Sequence, residues 1–171
     1  MLQCLKLIKL NRKSLVPIEI TIEPVVEADL PLIKSLLTEL MEAIAGTEGF
    51  DVEKSIENFR TLIKDPAQYI LVARQRDSLL GFVNFTIRKT MMHPGPSGLI
   101  DELVVSKNSR GAGIGKQLIQ AVIDKCRESG CYEVEVSTEK SNTKARRFYK
   151  TYGFEEDAVL LELGLIEPND E

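Results

Sequence analysis

The 171-residue sequence has no tryptophan, a single histidine and only three cysteines, Cys4, Cys126 and Cys131. An odd number of thiols without a CxxC spacing does not form a disulfide framework. The three thiols and the single imidazole also lack the spacing that a zinc site needs from its four donors. A hydrolase triad would have to use His93, which lies in Met-Met-His-Pro-Gly-Pro, a segment typical of an exposed loop. The sequence therefore predicts neither a metal centre nor a histidine-dependent hydrolase.

Long apolar runs and excess positive charge are also lacking. No run approaches the roughly 18 apolar residues of a membrane-spanning helix, and the first ten residues lack the cleavage site of a secretory signal. The 26 acidic and 22 basic residues give a net charge of -4, which is unlike a globally basic nucleic-acid-binding domain. We therefore expect a cytoplasmic protein without a nucleic-acid or membrane partner.

Composition and pattern predict one α/β (α+β) domain. With 43% apolar and 28% charged residues, the chain can bury a sizeable core and stay in solution. Residues 1–17 carry four basic and no acidic residues and form a predicted N-terminal extension, residues 18–163 form the domain, and residues 164–171 form an acidic tail.

Hydrophobic periodicity gives the element order β-α-α-β-β-β-α-β-α-β-β. The predicted strands cover 18–22, 69–73, 79–87, 99–105, 132–136, 154–156 and 158–163. The predicted helices run from the N-cap Asp29 to Gly46, from the N-cap Asp51 to Asp65-Pro66, over 116–129 with Cys126 inward, and over 142–152.

The glycine-rich segment between Val105 and Gln117 is the most informative part of the sequence. It reads Ser-Lys-Asn-Ser-Arg-Gly-Ala-Gly-Ile-Gly-Lys and joins a predicted strand to a predicted helix. Glycines let the backbone approach a ligand closely, and a helix N-terminus directs unpaired N–H groups and a positive dipole end at it. Together with Arg110 and Lys116, this composition is typical of a phosphate-binding loop.

Two common phosphate-binding motifs do not fit. A Walker A loop needs glycine six positions before Lys116 and Ser or Thr directly after it, where the chain has Arg110 and Gln117. The dinucleotide fingerprint G-x-G-x-x-G lacks its last glycine in both registers. The pattern that fits is Arg-x-x-Gly-x-Gly, with Gly113 and Gly115 as its glycines.

A second pattern lies about thirty residues later, where residues 142–154 read Asn-Thr-Lys-Ala-Arg-Arg-Phe-Tyr-Lys-Thr-Tyr-Gly-Phe. The two patterns together resemble the GNAT superfamily of N-acetyltransferases, in which a segment Asn-x-x-Ala-x-x-Phe-Tyr-x-x-x-Gly-Phe follows the Arg-x-x-Gly-x-Gly loop. The element order is also similar, and the resemblance covers roughly residues 18–163. It implies a mixed, mostly antiparallel sheet flanked by helices.

The resemblance implies acetyl-CoA as the cofactor, without a metal. The residues implied to bind its pyrophosphate are Arg110, Gly111, Ala112, Gly113, Ile114, Gly115 and Lys116. The pantetheine arm is implied to lie against Leu103, Val104 and Val105 and the side chain of Asn142, for which a role as helix N-cap is the alternative. Residues 110–151 hold nine Lys and Arg against five Asp and Glu, which suits an anionic cofactor.

The resemblance also implies the catalytic residues. Tyr149 matches the family's general acid for the departing CoA thiolate, with core packing as its alternative role. Glu102 matches a carboxylate that deprotonates or binds the amine, with a surface charge as the alternative. Strand alternation predicts that Asp101 faces the opposite way. Weaker candidates for the base are Glu133 and Glu135, and Tyr152 is interpreted as structural.

The implied reaction is direct transfer of an acetyl group to a primary amine in a ternary complex, with a small cationic amine favoured. Residues 19–58 hold ten acidic and two basic residues, and residues 155–171 hold seven acidic and none basic, which suits a cationic acceptor. Three alternatives stay open: a protein N-terminal or lysine acetyltransferase, a non-catalytic acyl-CoA sensor, and a nucleic-acid accessory resting on residues 1–13. Pairing of terminal strands leaves a homodimer open.

Overall fold

The computed structural model describes residues 19–42 and 51–165. The helices are α1 (Leu30–Met41), α2 (Val52–Leu62), α3 (Ile114–Glu128) and α4 (Thr143–Lys150). The strands are β1 (Thr21–Pro24), β2 (Gln68–Gln75), β3 (Ser78–Arg88), β4 (Ser97–Val105) and β5 (Glu133–Val136), and short 3-10 turns cover Glu27–Asp29 and Lys107–Ser109. The predicted extension over 1–17, the helix end at Gly46 and the tail beyond 165 lie outside the described residues.

The five strands form one sheet in the order β1-β2-β3-β4-β5. Neighbours pair antiparallel except β4 and β5, which run parallel, so the predicted mixed, mostly antiparallel sheet is confirmed. The parallel pairing ends at Ile100 and Val136, although β4 continues to Val105. Beyond Ile100, β4 therefore has an edge that no described strand pairs.

Helices cover both faces of this sheet. Ile33 and Leu36 of α1 and Phe59 of α2 pack on one face, together with Phe82 and Val104. A larger set lies on the other face, where α3 packs against the middle strands: Val83, Phe85, Ile100, Leu118, Ile119, Val122 and Cys126. The inward position predicted for Cys126 is confirmed, since it is 1% exposed.

Local capping signals in the sequence have different outcomes. Asp51 caps α2 as predicted, accepting hydrogen bonds from the N–H groups of Glu53 at 2.8 Å and Lys54 at 3.3 Å. Asp29 directly precedes α1, but its side chain makes no bond to that helix, because a 3-10 turn runs straight into α1. Its carboxylate instead accepts the Val26 N–H at 3.1 Å and the guanidinium of Arg74 at 2.7 Å.

The two predicted closing strands, 154–156 and 158–163, are not formed in the described structure. Phe154 ends a turn after α4, and Glu156 is held by Arg146 and Lys150. The apolar residues that follow are exposed: Val159, Leu160, Leu161, Leu163 and Leu165. Their sequence pattern needs a partner strand to become a sheet, and no described strand pairs with them. The predicted homodimer stays a prediction.

Candidate active site

The glycine-rich loop leaves β4 at Val105 and enters α3 at Ile114. Gly111 and Gly113 have φ of 80° and 82°, in the left-handed region that strains residues with a side chain. Gly115 has a negative φ but is close to α4, since a Cβ there would lie 3.3 Å from the Phe148 ring and would push that ring by a few tenths of an ångström. Two glycines therefore shape the loop, and the third lets α3 pack against α4.

This loop presents hydrogen-bond donors. Gln117 is the first residue of α3 whose N–H has a backbone acceptor, the Gly113 carbonyl at 3.2 Å. Within the described chain, the N–H groups of Ile114, Gly115 and Lys116 therefore have no backbone acceptor, as is usual in the first turn of a helix. The exposed Arg110 lies beside them and donates from Nε to the Val105 carbonyl at 3.1 Å. Free N–H groups, a helix N-terminus and two cations fit a pyrophosphate group.

Glu39, near the end of α1, fixes the start of the loop. Its Oε2 accepts the Lys107 N–H at 2.7 Å, and its Oε1 accepts the Ser106 hydroxyl at 3.2 Å. The Lys107 ammonium pairs with Glu42 at 2.7 Å, which lowers the pKa of that carboxyl. Sequence reasoning missed Glu39, because no local motif joins residues 68 positions apart.

A one-residue bulge in β4 sets the direction of Glu102. Asn84 pairs with Glu102 and Phe85 pairs with Ile100, so Asp101 is the extra residue. Residues two apart on a regular strand share a face, yet here Ile100 lies in the core under α3 and Glu102 lies on the side of α1 and α2. The bulge thus brings Glu102 to the opposite face from Ile100.

The prediction that Asp101 and Glu102 face opposite ways is wrong. The Asp101 carboxylate accepts the Thr86 hydroxyl at 3.2 Å, and Thr86 shares a face of β3 with Asn84, the partner of Glu102. The physical reason is the bulge, which breaks the alternation at this point. Both carboxylates therefore lie on the side of α1 and α2.

Glu102 is partly buried, and Asn84 donates from Nδ2 to its Oε2 at 2.7 Å. Burial raises the pKa of Glu102, the hydrogen bond from Asn84 opposes the rise, and the Asp101 charge adds to it. Burial also raises the pKa of Asp101, whereas the hydrogen bond from Thr86 and the charge of Arg88 lower it by less. A carboxylate with a raised pKa holds a proton more readily than a solvated one.

A cavity of about 540 Å³ lies between the sheet and the helices α1 and α2. We call it the Glu102 cavity, and its lining includes Leu37, Leu40, Phe59, Leu62, Asn84 and Glu102. Its volume is in the range of sites for small molecules, and it combines apolar walls with few polar groups. Glu102, predicted from sequence as a site residue, is thus in a cavity and not a solvated surface charge.

Tyr149 lies in α4 on the other face of the sheet and is 9% exposed. Its ring meets Phe148 and Phe154 edge-on at centroid distances of 5.3 Å and 5.6 Å. Burial raises the pKa of its phenol above the usual value, and the group is protonated at neutral pH as any phenol is. Tyr152 packs on Phe148 at 5.5 Å, in keeping with its structural interpretation.

Two further predictions concern side chains around β5 and α4. Asn142 is the N-cap of α4, with its Oδ1 accepting the Ala145 N–H at 3.1 Å. Its other predicted role, contact with a pantetheine, stays a prediction. Of the weaker base candidates, Glu135 pairs with Arg88 and Glu133 lies 2.6 Å from the His93 ring nitrogen.

His93 lies in a loop, as the sequence predicts, but its ring is partly buried and not fully exposed. Proline and glycine bend residues 93–97 so that the ring reaches Glu133 on β5 and Tyr132 beside it. The buried Ser97 hydroxyl donates a hydrogen bond of 3.0 Å to the Glu133 carboxylate, and not to the imidazole. This arrangement does not activate a serine nucleophile. No group of three or more potential ligands is placed to hold a metal ion in the described part of the chain.

The sequence profile of the Acetyltransferase (GNAT) family matches residues 32–154, which span the loop, both carboxylates and Tyr149. The chain belongs to this family of acetyltransferases. As a GNAT protein it is an N-acetyltransferase that uses acetyl-CoA.

Relatives of this GNAT chain differ in how much they share with it. Aminoalkylphosphonate N-acetyltransferase of Salmonella typhimurium is 26% identical over 75% of this chain and 80% of that protein. Mycothiol acetyltransferase of Saccharopolyspora erythraea is 32% identical over 53% of this chain, a match that covers only 28% of that protein.

Solved structures share the GNAT fold. An aminoglycoside acetyltransferase from an uncultured soil metagenomic sample, in complex with trehalose, is 29% identical with a TM-score of 0.72. The match covers 86% of this chain and 97% of that chain. No helix in residues 19–42 and 51–165 of this GNAT protein is long and apolar enough to cross a bilayer.

Proposed function

We propose that this GNAT enzyme acetylates a primary amine, a small cationic one, by direct attack in a ternary complex, with the amine held in the Glu102 cavity. The observation that carries the proposal is the course of β4. The same strand lines the cavity with Glu102 and runs on into the glycine-rich loop. Because β5 ends at Val136, opposite Ile100, the edge of β4 between these points is unpaired among the described strands, and a cofactor lying along it would reach the neighbourhood of Glu102.

The residues from Arg110 to Lys116 would hold the pyrophosphate of acetyl-CoA through backbone N–H groups and cations. The unpaired edge at Leu103, Val104 and Val105 would bind the pantetheine arm, with the Asn142 amide beside it. When bound there, acetyl-CoA supplies an acetyl group activated as a thioester.

In this proposal, Glu102 acts as the base or as the group that binds the amine. A primary amine is largely protonated at neutral pH and cannot attack until it loses a proton. The Glu102 carboxylate, with its raised pKa, would draw the ammonium into the cavity and accept its proton directly or through water. Asn84 holds the carboxylate in place from β3.

In this proposal, Tyr149 acts as the general acid. Its phenol is protonated at neutral pH, as phenols are, and burial raises its pKa further, so the hydroxyl holds a proton that it can give to the departing sulfur. Glu102 and Tyr149 lie on opposite faces of the sheet. We expect the groups that they serve to meet at the unpaired edge of β4, beyond the end of β5.

The test follows free thiol release from acetyl-CoA in the presence of a panel of primary amines. We expect turnover with at least one amine, and a loss of about 10²-fold or more in kcat/KM in Glu102→Gln. The matched control is Glu57→Gln, an exposed carboxylate on α2 that does not line the cavity, for which we expect unchanged kinetics. Tight CoA binding without turnover on any amine would instead support a non-catalytic sensor, and turnover confined to peptide amines would support a protein acetyltransferase.

A further inference from the structure

Large apolar side chains form much of the wall of the Glu102 cavity. Seven of its lining side chains are large and hydrophobic: Ile33, Leu37, Leu40, Phe59, Leu62, Ile70 and Phe82. Ile33, Phe59 and Phe82 are each at most 5% exposed, so the packed core itself forms the wall. A wall of this kind stabilises an apolar ligand surface and offers a hydroxyl group nothing to bond.

The polar groups of the cavity fall into two sets. Asn84 and Glu102 come from the middle of the sheet, where β3 pairs with β4. The others are Asp51, the N-cap of α2, and Lys54, Ser55 and Asn58 within α2. Asp51, Lys54 and Asn58 are exposed, and the Asp51 carboxylate already caps its helix. The cavity thus has one partly buried carboxylate at the sheet and polar groups at its exposed rim.

Asn84 carries an acceptor with no partner. The residue is 6% exposed, and among the described residues its Oδ1 is a buried atom without a hydrogen bond. The orientation of its amide follows from the pairing, because an ionised Glu102 can only accept and so requires the NH2 group of Asn84. A buried acceptor without a donor is destabilising. This oxygen belongs to the same side-chain amide whose NH2 group donates to Glu102.

From these observations we infer that the acceptor is a primary amine on an apolar body, an alkylamine or arylalkylamine with a single cationic head. This inference rests on the proposed function. The head group has three N–H donors, which suit the Glu102 carboxylate and the free Oδ1 of Asn84. The body packs against α1 and α2, and Asn84 is a specificity-determining residue.

Polyhydroxylated and phosphorylated amines fit the described lining less well. A sugar phosphate needs cations, and Lys54 at the exposed rim is the single cation among the described lining residues. A polycation needs several carboxylates, whereas the described lining has two, Glu102 and Asp51, and the Asp51 carboxylate already accepts N–H groups of its own helix. The Asp101 carboxylate is nearby but bonded to Thr86.

The experiment compares kcat/KM on the native enzyme for the series ethylamine, butylamine and hexylamine, for phenethylamine, and for glucosamine 6-phosphate and spermidine. We expect kcat/KM to rise with chain length, about 10-fold or more per pair of methylenes, and phenethylamine to exceed the sugar phosphate and the polyamine by about 10²-fold. A preference for the sugar phosphate or for spermidine overturns the inference and leaves the proposed function standing. Failure to acetylate any amine overturns both.

Variants of Asn84 test the acceptor separately. We expect Asn84→Leu, of similar volume, to raise KM for hexylamine at least 10-fold while the Kd for CoA stays unchanged. Asn84→Ala is the second variant if Leu prevents folding, and Glu57→Gln is the control. An unchanged KM in a folded Asn84 variant removes Asn84 from substrate recognition.

Discussion

The Glu39 carboxylate, near the end of α1, accepts a hydrogen bond of 2.7 Å from the backbone N–H of Lys107, the first residue of the turn that leads into the glycine-rich loop. Its other oxygen accepts the Ser106 hydroxyl. Helix α1 also forms part of the Glu102 cavity. One side chain therefore connects the helix that lines the cavity to the loop that we propose for the pyrophosphate.

The first prediction concerns this connection. We expect Glu39→Ala to weaken CoA binding about 3- to 10-fold, because two hydrogen bonds that hold the loop are lost while the loop's own donors remain. Isothermal titration with CoA measures the effect, and Glu57→Ala on α2 is the control. An unaltered Kd in the Glu39 variant would mean that the loop keeps its shape without α1.

Tyr149 gives the second prediction. We expect Tyr149→Phe to lower kcat about 10²-fold or more without changing the Kd for CoA, because the ring contacts with Phe148 and Phe154 are kept and only the proton donor is lost. The control is Tyr152→Phe, which removes the hydroxyl of the partly buried tyrosine that follows α4 and packs on Phe148. This variant should keep activity within about twofold. Equal losses in the two variants would contradict an acid role specific to Tyr149.

Much of the fold could be predicted, because the signals are local. Asp51 and Asn142 cap helices through N–H groups two or three residues further along the chain, and apolar spacing marks which face of α3 is buried. The glycine-rich loop is local in the same sense, since positive φ at Gly111 and Gly113 is a property of those residues.

The features that were missed depend on partners distant in sequence. The bulge at Asp101 exists only through pairing with β3, so strand alternation alone gave the wrong direction for this carboxylate. His93 meets Glu133 after 40 residues, and no spacing rule joins them. The segment 158–163 has the apolar pattern of a strand, but a strand also needs a paired edge, which the described chain does not give it.

The third prediction is about stability. Asp29 is 4% exposed and accepts a hydrogen bond from Arg74, whose side chain is 22% exposed and also pairs with Glu23. Arg74→Met would leave the Asp29 carboxylate buried beside a neutral side chain, so we expect a loss of about 3 kcal/mol in the free energy of unfolding. Urea unfolding measures it, with Arg60→Met on the exposed side of α2 as the control. A loss as small as that of the control would show that the Asp29 charge is compensated elsewhere.

The fourth prediction is the pH dependence of activity. In the proposed mechanism the ionised form of Glu102 is the base, so we expect kcat/KM to rise as pH increases through the pKa of this carboxyl, which burial raises above its usual value of 4.5. The hydrogen bond from Asn84 lowers that pKa, and its removal in Asn84→Leu should therefore move the rising limb to higher pH. Profiles are compared with the same amine, so that the titration of the amine contributes equally to both. A limb at the same pH in both enzymes would mean that Glu102 does not set it.

The last prediction separates the function of Glu102 from its effect on stability. A carboxyl whose pKa is higher in the folded than in the unfolded chain is destabilising when ionised: the cost is absent below the unfolded pKa and complete above the folded one. Glu102→Gln removes this cost and keeps an oxygen to accept from Asn84. We therefore expect the melting temperature of the variant to exceed that of the native enzyme by roughly 2–4 °C at pH 7, and the difference to disappear as the pH falls below 4. Glu57→Gln, which neutralises an exposed carboxylate, should show no such dependence. A Glu102→Gln variant that is less active yet no more stable at pH 7 would mean that the cavity holds the ionised carboxylate without strain, and the proposed cost of placing a base there would be wrong.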